Sequence, residues 1–307
     1  MSLEQTLPAL ATETNICRDF DMSTRRPILV TLLSLLAVGY AGLDSFGQAT
    51  APGQDGFPLV DYHVHLKGGL NVAEAKAWAD ARGMKYGIAE NCGVGNPVTD
   101  DAGLLAYLAR MKGKGVYVAM QAEGREWVEM FSPEVMAQFD YVFTDSMTWR
   151  DDKGRRMRLW IPSEVRVDDP QDFMDTLVDR TVWILENEPI DIYVNPTFLP
   201  GVIAKRYDEL WTEVRMDRVI KAAVKNDVAI EINARCKIPS PTFLKRAKRA
   251  GATFSFGTNN SSKNDLGNLE YCREMIVECG LTPDDMFVPK PDGQKAIQRK
   301  PLPKCIY

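Results

Sequence analysis

The sequence predicts a single α/β domain in which a seven-stranded parallel barrel is surrounded by helices. Short apolar segments alternate with amphipathic segments from about residue 57 to residue 290, without a linker-like break. Parallel neighbours need crossover helices, and strands that are apolar on both faces are expected where helices cover the outside. Polar residues recur at the carboxyl ends of successive strands. This recurrence favours closure into a distorted TIM-like (β/α) barrel over a doubly wound open sheet.

The apolar periodicity places the elements in strict alternation. Strands are predicted at residues 58–65, 85–90, 115–123, 141–145, 190–195, 228–233 and 253–257. Helices are predicted at residues 72–82, 100–114, 169–187, 212–225, 240–250 and 266–279. One segment, residues 147–161, breaks the alternation. Because Asp152, Lys153 and Gly154 form a turn signal between two strand-like arms, we expect a hairpin insertion at the barrel mouth.

The first 49 residues are expected to form an N-terminal extension and a signal peptide. Arg25 and Arg26 precede an uncharged apolar run at residues 28–43, and small residues suited to cleavage follow it. The run is short for a spanning helix, and the paired arginines resemble a twin-arginine signal. We therefore expect export to the periplasm or medium, with only transient membrane contact; an uncleaved anchor is the alternative. Residues 50–56 would then be a linker, and residues 291–307 a C-terminal tail.

Composition narrows the classes of partner. The chain is 45% hydrophobic and 26% charged, which is ordinary for a soluble globular domain. Its net charge is −5, whereas a nucleic-acid surface usually needs a basic balance. We expect a small-molecule substrate and no nucleic-acid partner.

His63 and His65 are the only histidines in the chain. They lie two residues apart at the end of the first predicted strand, so both rings point to the same side. Two imidazoles on one face form a chelating pair, and histidine is the commonest metal ligand. The alternative is a pair of structural histidines held by hydrogen bonds.

The motif around these histidines resembles the first motif of the polymerase and histidinol phosphatase (PHP) family. Residues 61–66 read DYHVHL, and the likeness continues over most of residues 57–290. Glu123 stands where the family has a bridging glutamate, and residues 230–233 (IEIN) resemble the family's E-I-N strand. The resemblance implies a barrel of PHP type with a metal site at its mouth.

The chain departs from the family pattern at most of the other ligand positions. Asn91, Asn195, Asn259 and Ser261 stand where the family has histidine or aspartate ligands. A site with several metals is therefore not expected. Of the ligand positions that the resemblance implies, His63, His65 and Glu123 remain, and this set supports one divalent metal ion. Oxygen ligands together with two imidazoles suit zinc, manganese or iron.

Acidic side chains provide a separate argument for a cation. Carboxylates from Glu90, Glu123 and Asp145 would repel one another in a partly buried cup, and a divalent ion would relieve the repulsion. Asp145 or Glu90 is then the candidate catalytic base. The alternative is that these acids form salt bridges with Lys67, Arg125 or Arg235.

Cationic, amide and aromatic side chains near the predicted mouth suit a small anionic substrate. Guanidinium groups bind phosphate, sulfate and carboxylate, and aromatic rings can stack on a sugar. The predicted substrate-binding residues are Lys67, Arg125, Asn195, Arg235, Asn259, Trp149 and Arg150.

Together these features favour a metal-dependent hydrolase of a phosphoester or a related anionic ester. Two alternatives remain open. One is a non-catalytic binding barrel whose metal site has decayed. The other is a metal-assisted lyase or isomerase acting on an acidic sugar, since the fold does not fix the reaction.

Overall fold

The computed structural model describes residues 57–305, and within them it confirms the predicted barrel. In chain order the strands are β1 (Val60–Val64), β2 (Lys85–Gly93), β3 (Tyr117–Glu123), β4 (Tyr141–Thr144), β5 (Thr148–Arg150), β6 (Arg156–Arg158), β7 (Ile192–Tyr193), β8 (Ala229–Asn233) and β9 (Phe254–Gly257). Seven of them form a closed, all-parallel barrel in the order β1-β2-β3-β4-β7-β8-β9. Asp61 of β1 pairs with Phe256 of β9 and closes the ring.

Helices surround this barrel, as the alternation predicts. They are α1 (Val72–Asp80), α2 (Asp101–Met111), α3 (Pro133–Met136), α4 (Pro170–Asn187), α5 (Gly201–Ala204), α6 (Tyr207–Leu210), α7 (Glu213–Lys225), α8 (Pro241–Arg249), α9 (Glu270–Cys279) and α10 (Ala296–Arg299). Several begin at a polar cap. The carboxylate of Asp100 accepts from the N–H of Gly103, and the Ser240 hydroxyl accepts from the N–H of Phe243. Within residues 57–305, no helix is both long and apolar enough to cross a membrane.

Several predicted elements are shorter than expected, and for two of them the backbone shows the cause. Strand β7 is limited to Ile192–Tyr193, because the backbone of Asn195 turns to a left-handed φ of 48°. Helix α9 begins at Glu270 rather than near residue 266. Gly267 adopts a φ of 68°, and the Asp265 carboxylate accepts from the N–H groups of Ser261 and Ser262, so a tight loop precedes the helix.

The insertion predicted at residues 147–161 is a hairpin. Strands β5 and β6 are antiparallel, with Trp149 opposite Met157. The Trp149 ring packs 5.6 Å from the Phe173 ring of α4, and the Arg180 guanidinium lies over it at 5.0 Å. On the other arm, Arg156 donates to the carbonyl of Val94 after β2. The hairpin is thus anchored on two sides above the carboxyl ends of the strands.

An aromatic cluster fills the lumen and the amino end of the barrel. Tyr62, Tyr141 and Phe143 pack inside, and Phe287 closes the end by stacking edge-on against Tyr62 and Tyr141. The Tyr62 hydroxyl donates to the Phe287 carbonyl. Because these side chains fill the lumen, a ligand bound at the carboxyl ends of the strands would have to approach from that side.

The predicted extension, signal peptide and linker, residues 1–56, lie outside the described residues. The predicted tail is described as far as residue 305.

Candidate functional site

Buried polar side chains from several strands meet at the carboxyl end of the barrel. They come from β1, β3 and β8 and from the loops that follow β4, β7 and β9. The buried members of this group are His63, His65, Gln121, Glu123, Asp145, Asn195, Glu231, Asn233 and Asn260. So much buried polarity in one place is unusual for a packing core and is typical of a functional site.

His63 is held by two protein acceptors. Its Nδ1 lies 2.6 Å from Oε1 of Glu231, and its Nε2 lies 3.2 Å from Oε1 of Gln121. The Gln121 amide is itself oriented, because its Nε2 donates to Glu123 at 2.8 Å. A register shift in β1 between Asp61 and Val64 lets both Tyr62 and His63 face the lumen, which strict alternation would forbid.

His65 lies beside His63, with ring centroids 5.2 Å apart. The amide of Asn260 fixes its backbone by accepting from the His65 N–H at 2.7 Å and donating to its carbonyl at 3.0 Å. Burial lowers the pKa of His65 well below its ordinary value, and the charges of Lys67, His63 and Arg235 lower it further. The ring is therefore neutral near pH 7, the form in which imidazole binds metals.

Glu123 is a buried carboxyl group at the end of β3. It accepts from Asn91 Nδ2 at 3.0 Å and from Gln121. Burial, and next the charge of Asp145, raise its pKa to about 8. At neutral pH this group therefore holds a proton unless a cation replaces it.

Asp145 follows β4 and faces the same space. Its Oδ1 accepts from the N–H of Met147 at 2.8 Å, and its Oδ2 accepts from Asn195 Nδ2 at 3.1 Å. Burial raises its pKa, although these two hydrogen bonds and the charge of Arg125 oppose the shift. Asp145 is thus a fixed carboxylate that binds a proton more readily than an exposed aspartate does.

Three asparagines join the remaining loops. Oδ1 of Asn195 accepts from both Asn233 Nδ2 and Asn259 Nδ2 at 3.0 Å, and the N–H of Asn195 donates to Glu231 at 2.7 Å. Asn195 and Asn259 have left-handed φ values of 48° and 44°, a conformation that asparagine tolerates better than most residues. The amides therefore crosslink β7, β8 and the loop after β9 around the acids.

Glu231 and Gln121 are central to the site but were not among the predicted site residues. Strand parity was the available signal: Gln121 shares a face with Glu123, and Glu231 shares one with Asn233. Because Gly257 has no side chain, it leaves room for the Glu231 carboxylate. A Cβ at Gly257 would overlap Oε1 of Glu231 and lie 2.8 Å from the Cβ of His63.

Other predicted site residues have their main side-chain partners outside this network, although Arg125 also donates to the backbone carbonyl of Asp145. Glu90 bonds to Arg110 of α2 at 2.9 Å. Arg125 is buried in a two-pronged ion pair with Glu188, both distances being 2.9 Å. Trp149 is buried against α4, as described above.

The remaining three of the predicted substrate-binding cations differ in their exposure and in their partners. Arg150 is exposed and bonds to Glu126. Lys67 and Arg235 are half-buried, and their charges act on His65.

The donor set can be tested against the predicted metal ion. Within residues 57–305, no three His, Cys, Asp or Glu side chains are arranged to hold one ion. The chemistry of the donors nevertheless fits. A carboxylate fixes Nδ1 of His63, the backbone at Ala89 holds the His65 ring, and Glu123 supplies oxygen. Such outer partners usually orient metal-binding imidazoles. Gln121 occupies Nε2 of His63, so metal binding requires that this hydrogen bond break.

A scan against protein-family models finds no match to this chain, and a search of curated proteins finds no significant relative. The resemblance to the PHP family therefore stays a prediction.

Proposed function

We propose that the protein is a metal-dependent hydrolase of PHP type that cleaves a phosphoester or a related anionic ester at the carboxyl end of the barrel. The observation that carries the proposal is one buried hydrogen-bonded network that includes His63, Glu123 and Asp145. It runs from Glu123 through Gln121 and His63 to Glu231, and from Glu231 through Asn195 to Asp145. Buried acids with raised pKa values in a barrel mouth are common at catalytic sites.

His63, His65 and Glu123 would hold one divalent ion. When bound, such an ion lowers the pKa of a coordinated water and polarises the ester. Glu231 would orient the His63 ring through Nδ1, so that Nε2 would be the ligand atom once its contact with Gln121 is broken.

Asp145 is the proposed general base. Hydrogen bonds from Met147 and Asn195 fix both of its oxygens, so its orientation needs no reorganisation during the reaction. Burial raises its pKa towards neutrality, which improves its ability to take a proton from water.

Nearby cations favour an anionic substrate. Lys67 and Arg235 act on His65 from one side, and Arg156 of β6 acts on Glu123 from the hairpin. A cleft with this potential attracts and orients a negatively charged group.

A non-catalytic binding barrel is the second candidate. It is favoured by the hydrogen bond between Gln121 and Nε2 of His63, which must break before a metal can bind. It is also favoured by the asparagines whose amides link the loops by hydrogen bonds. In that case the polar network would serve only to bind a ligand.

Elemental analysis of the purified full chain, followed by a phosphoester panel, separates the two candidates. We expect about one equivalent of divalent metal in the wild-type protein, and loss of most of it in His63→Ala and His65→Ala. Asp145→Asn should retain the metal and lose at least about 100-fold in turnover, as removal of a general base commonly does. Glu90→Gln is the matched control, since Glu90 faces α2, and it should keep near-normal turnover. A wild-type protein that takes up no divalent metal on titration would replace this proposal with the binding barrel.

A further inference from the structure

A small cavity lies between the β5–β6 hairpin and the loop after β3. It offers about 10 Å³ to the centre of a water-sized sphere, which is room for one water molecule or one monatomic ion. Its lining residues are Arg125, Glu126, Thr148, Trp149, Arg150 and Arg156. We propose that this cavity binds a single halide-sized anion that joins the hairpin to the barrel.

Two of the lining residues carry buried polar atoms without a hydrogen-bond partner in the described part of the chain. They are Nε of Arg125 and Oγ1 of Thr148, in residues that are only 4% and 3% exposed. The other guanidinium nitrogens of Arg125 are engaged, Nη1 with Glu188 and Nη2 with Thr144 and the Asp145 carbonyl. A buried donor without a hydrogen bond destabilises the folded protein, so we expect a bound partner for these atoms.

The available groups require an acceptor. Arginine has donors and no acceptor, and a threonine hydroxyl can donate. A monatomic anion accepts hydrogen bonds from several directions and donates none, so it complements these groups better than water does.

The balance of charge also favours an anion. Glu188 compensates Arg125, and Arg150 compensates Glu126, the one acidic residue in the lining. Arg156 donates to the Val94 carbonyl and forms no ion pair within residues 57–305. One positive charge is therefore left for a monovalent anion. The cavity includes none of the proposed metal ligands and not the proposed base; it shares with the proposed function only Arg156, whose charge also acts on Glu123.

Crystals of the full chain grown or soaked in bromide test the proposal directly. We expect an anomalous bromine peak in the cavity, in contact with Arg125 and Thr148. The absence of a peak at saturating bromide, with a water molecule in its place, would overturn the assignment.

Thermal unfolding provides the second readout. Chloride or bromide should raise the Tm of the wild-type protein relative to gluconate at equal ionic strength, because gluconate is too large for the cavity. Arg156→Gln and the near-isosteric Thr148→Val should each weaken the apparent halide affinity, by about tenfold for the charged partner. Arg155→Gln removes the same charge from the neighbouring position at the exposed hairpin tip and is the control. Equal halide responses in Arg155→Gln, Arg156→Gln and Thr148→Val would contradict the proposal.

Discussion

The carboxylate of Glu231 lies 2.6 Å from Nδ1 of His63, and both side chains are only 1% exposed. The other oxygen of Glu231 accepts from the N–H of Asn195 and from Asn233. The Glu231 carboxylate therefore fixes the His63 ring, the backbone of Asn195 in its left-handed conformation and the side-chain amide of Asn233.

Glu231→Ala should destabilise the protein strongly. It leaves the buried His63 ring and the Asn195 N–H without their acceptor, and loss of one partner of a buried pair commonly costs about 3–5 kcal/mol. The free energy of unfolding in urea measures the effect. Glu186→Ala, at an exposed position of α4, should change it by no more than about 0.5 kcal/mol. Similar small values for both variants would show that the pair contributes little.

Gly257→Ala should displace Glu231 and His63, because the added methyl group would overlap the carboxylate. We expect a loss of about 1–3 kcal/mol from overpacking and, with it, weaker metal uptake. Gly113→Ala provides the comparison: its φ is 72°, but its Cβ would meet no atom within 4 Å. That variant should show only backbone strain of about 1–2 kcal/mol and normal metal content. Normal metal content in Gly257→Ala would argue against the role given to Glu231.

Glu123 should make the metal-free protein less stable as the pH rises. Its pKa is about 8 in the folded protein against an ordinary 4.5, so between these values the folded state holds a proton that the unfolded chain has released. The stability contributed by this proton is present at low pH and is lost as the pH rises through about 8, by on the order of a few kcal/mol.

Glu123→Gln should remove this dependence. In the presence of a chelator, the variant should gain stability relative to the wild type as the pH increases from about 5 to about 8. Asp145→Asn should weaken the dependence, since the Asp145 charge is one cause of the shift. Urea unfolding at several pH values tests both expectations, and parallel curves for wild type and Glu123→Gln would refute the first.

Arg125 should prove structural. Arg125→Met leaves the buried Glu188 carboxylate without its cationic partner and removes the donors to Thr144 and to the Asp145 carbonyl. We therefore expect a loss of about 3–5 kcal/mol in the free energy of unfolding. The double variant with Glu188→Leu should recover part of the loss. Arg150→Met breaks only exposed or partly exposed contacts, with Glu126 and with the Gly154 carbonyl, and should cost less than about 1 kcal/mol. If Arg125→Met left stability unchanged, a role in substrate binding would regain support.

The barrel was predictable because alternation and apolar strands are local properties of the sequence. The shared side of His63 and His65 followed from the two-residue period of a strand in the same way. The early end of β7 and the late start of α9 were not predictable by periodicity, because single left-handed residues, Asn195 and Gly267, set those boundaries.

The site was only partly predictable because register and long-range pairing decide it. Glu90 and Asn91 are neighbours in sequence, yet Asn91 reaches Glu123 across the strand pair while Glu90 bonds to a helix. Arg125 forms an ion pair with Glu188, 63 residues away, and no local sequence pattern predicts that contact. Counting strand parity from Glu123 would have identified Gln121.

Phe287 closes the amino end of the barrel by meeting Tyr62, which precedes it by 225 residues. A ribosome makes the first strand long before it makes this partner, and before it makes β9. Until then β1 has an unpaired edge, and the aromatic lumen is open to water. Barrel closure is therefore a late event in biosynthesis. A chain stalled before Phe287 would expose the surfaces that chaperones and proteases recognise.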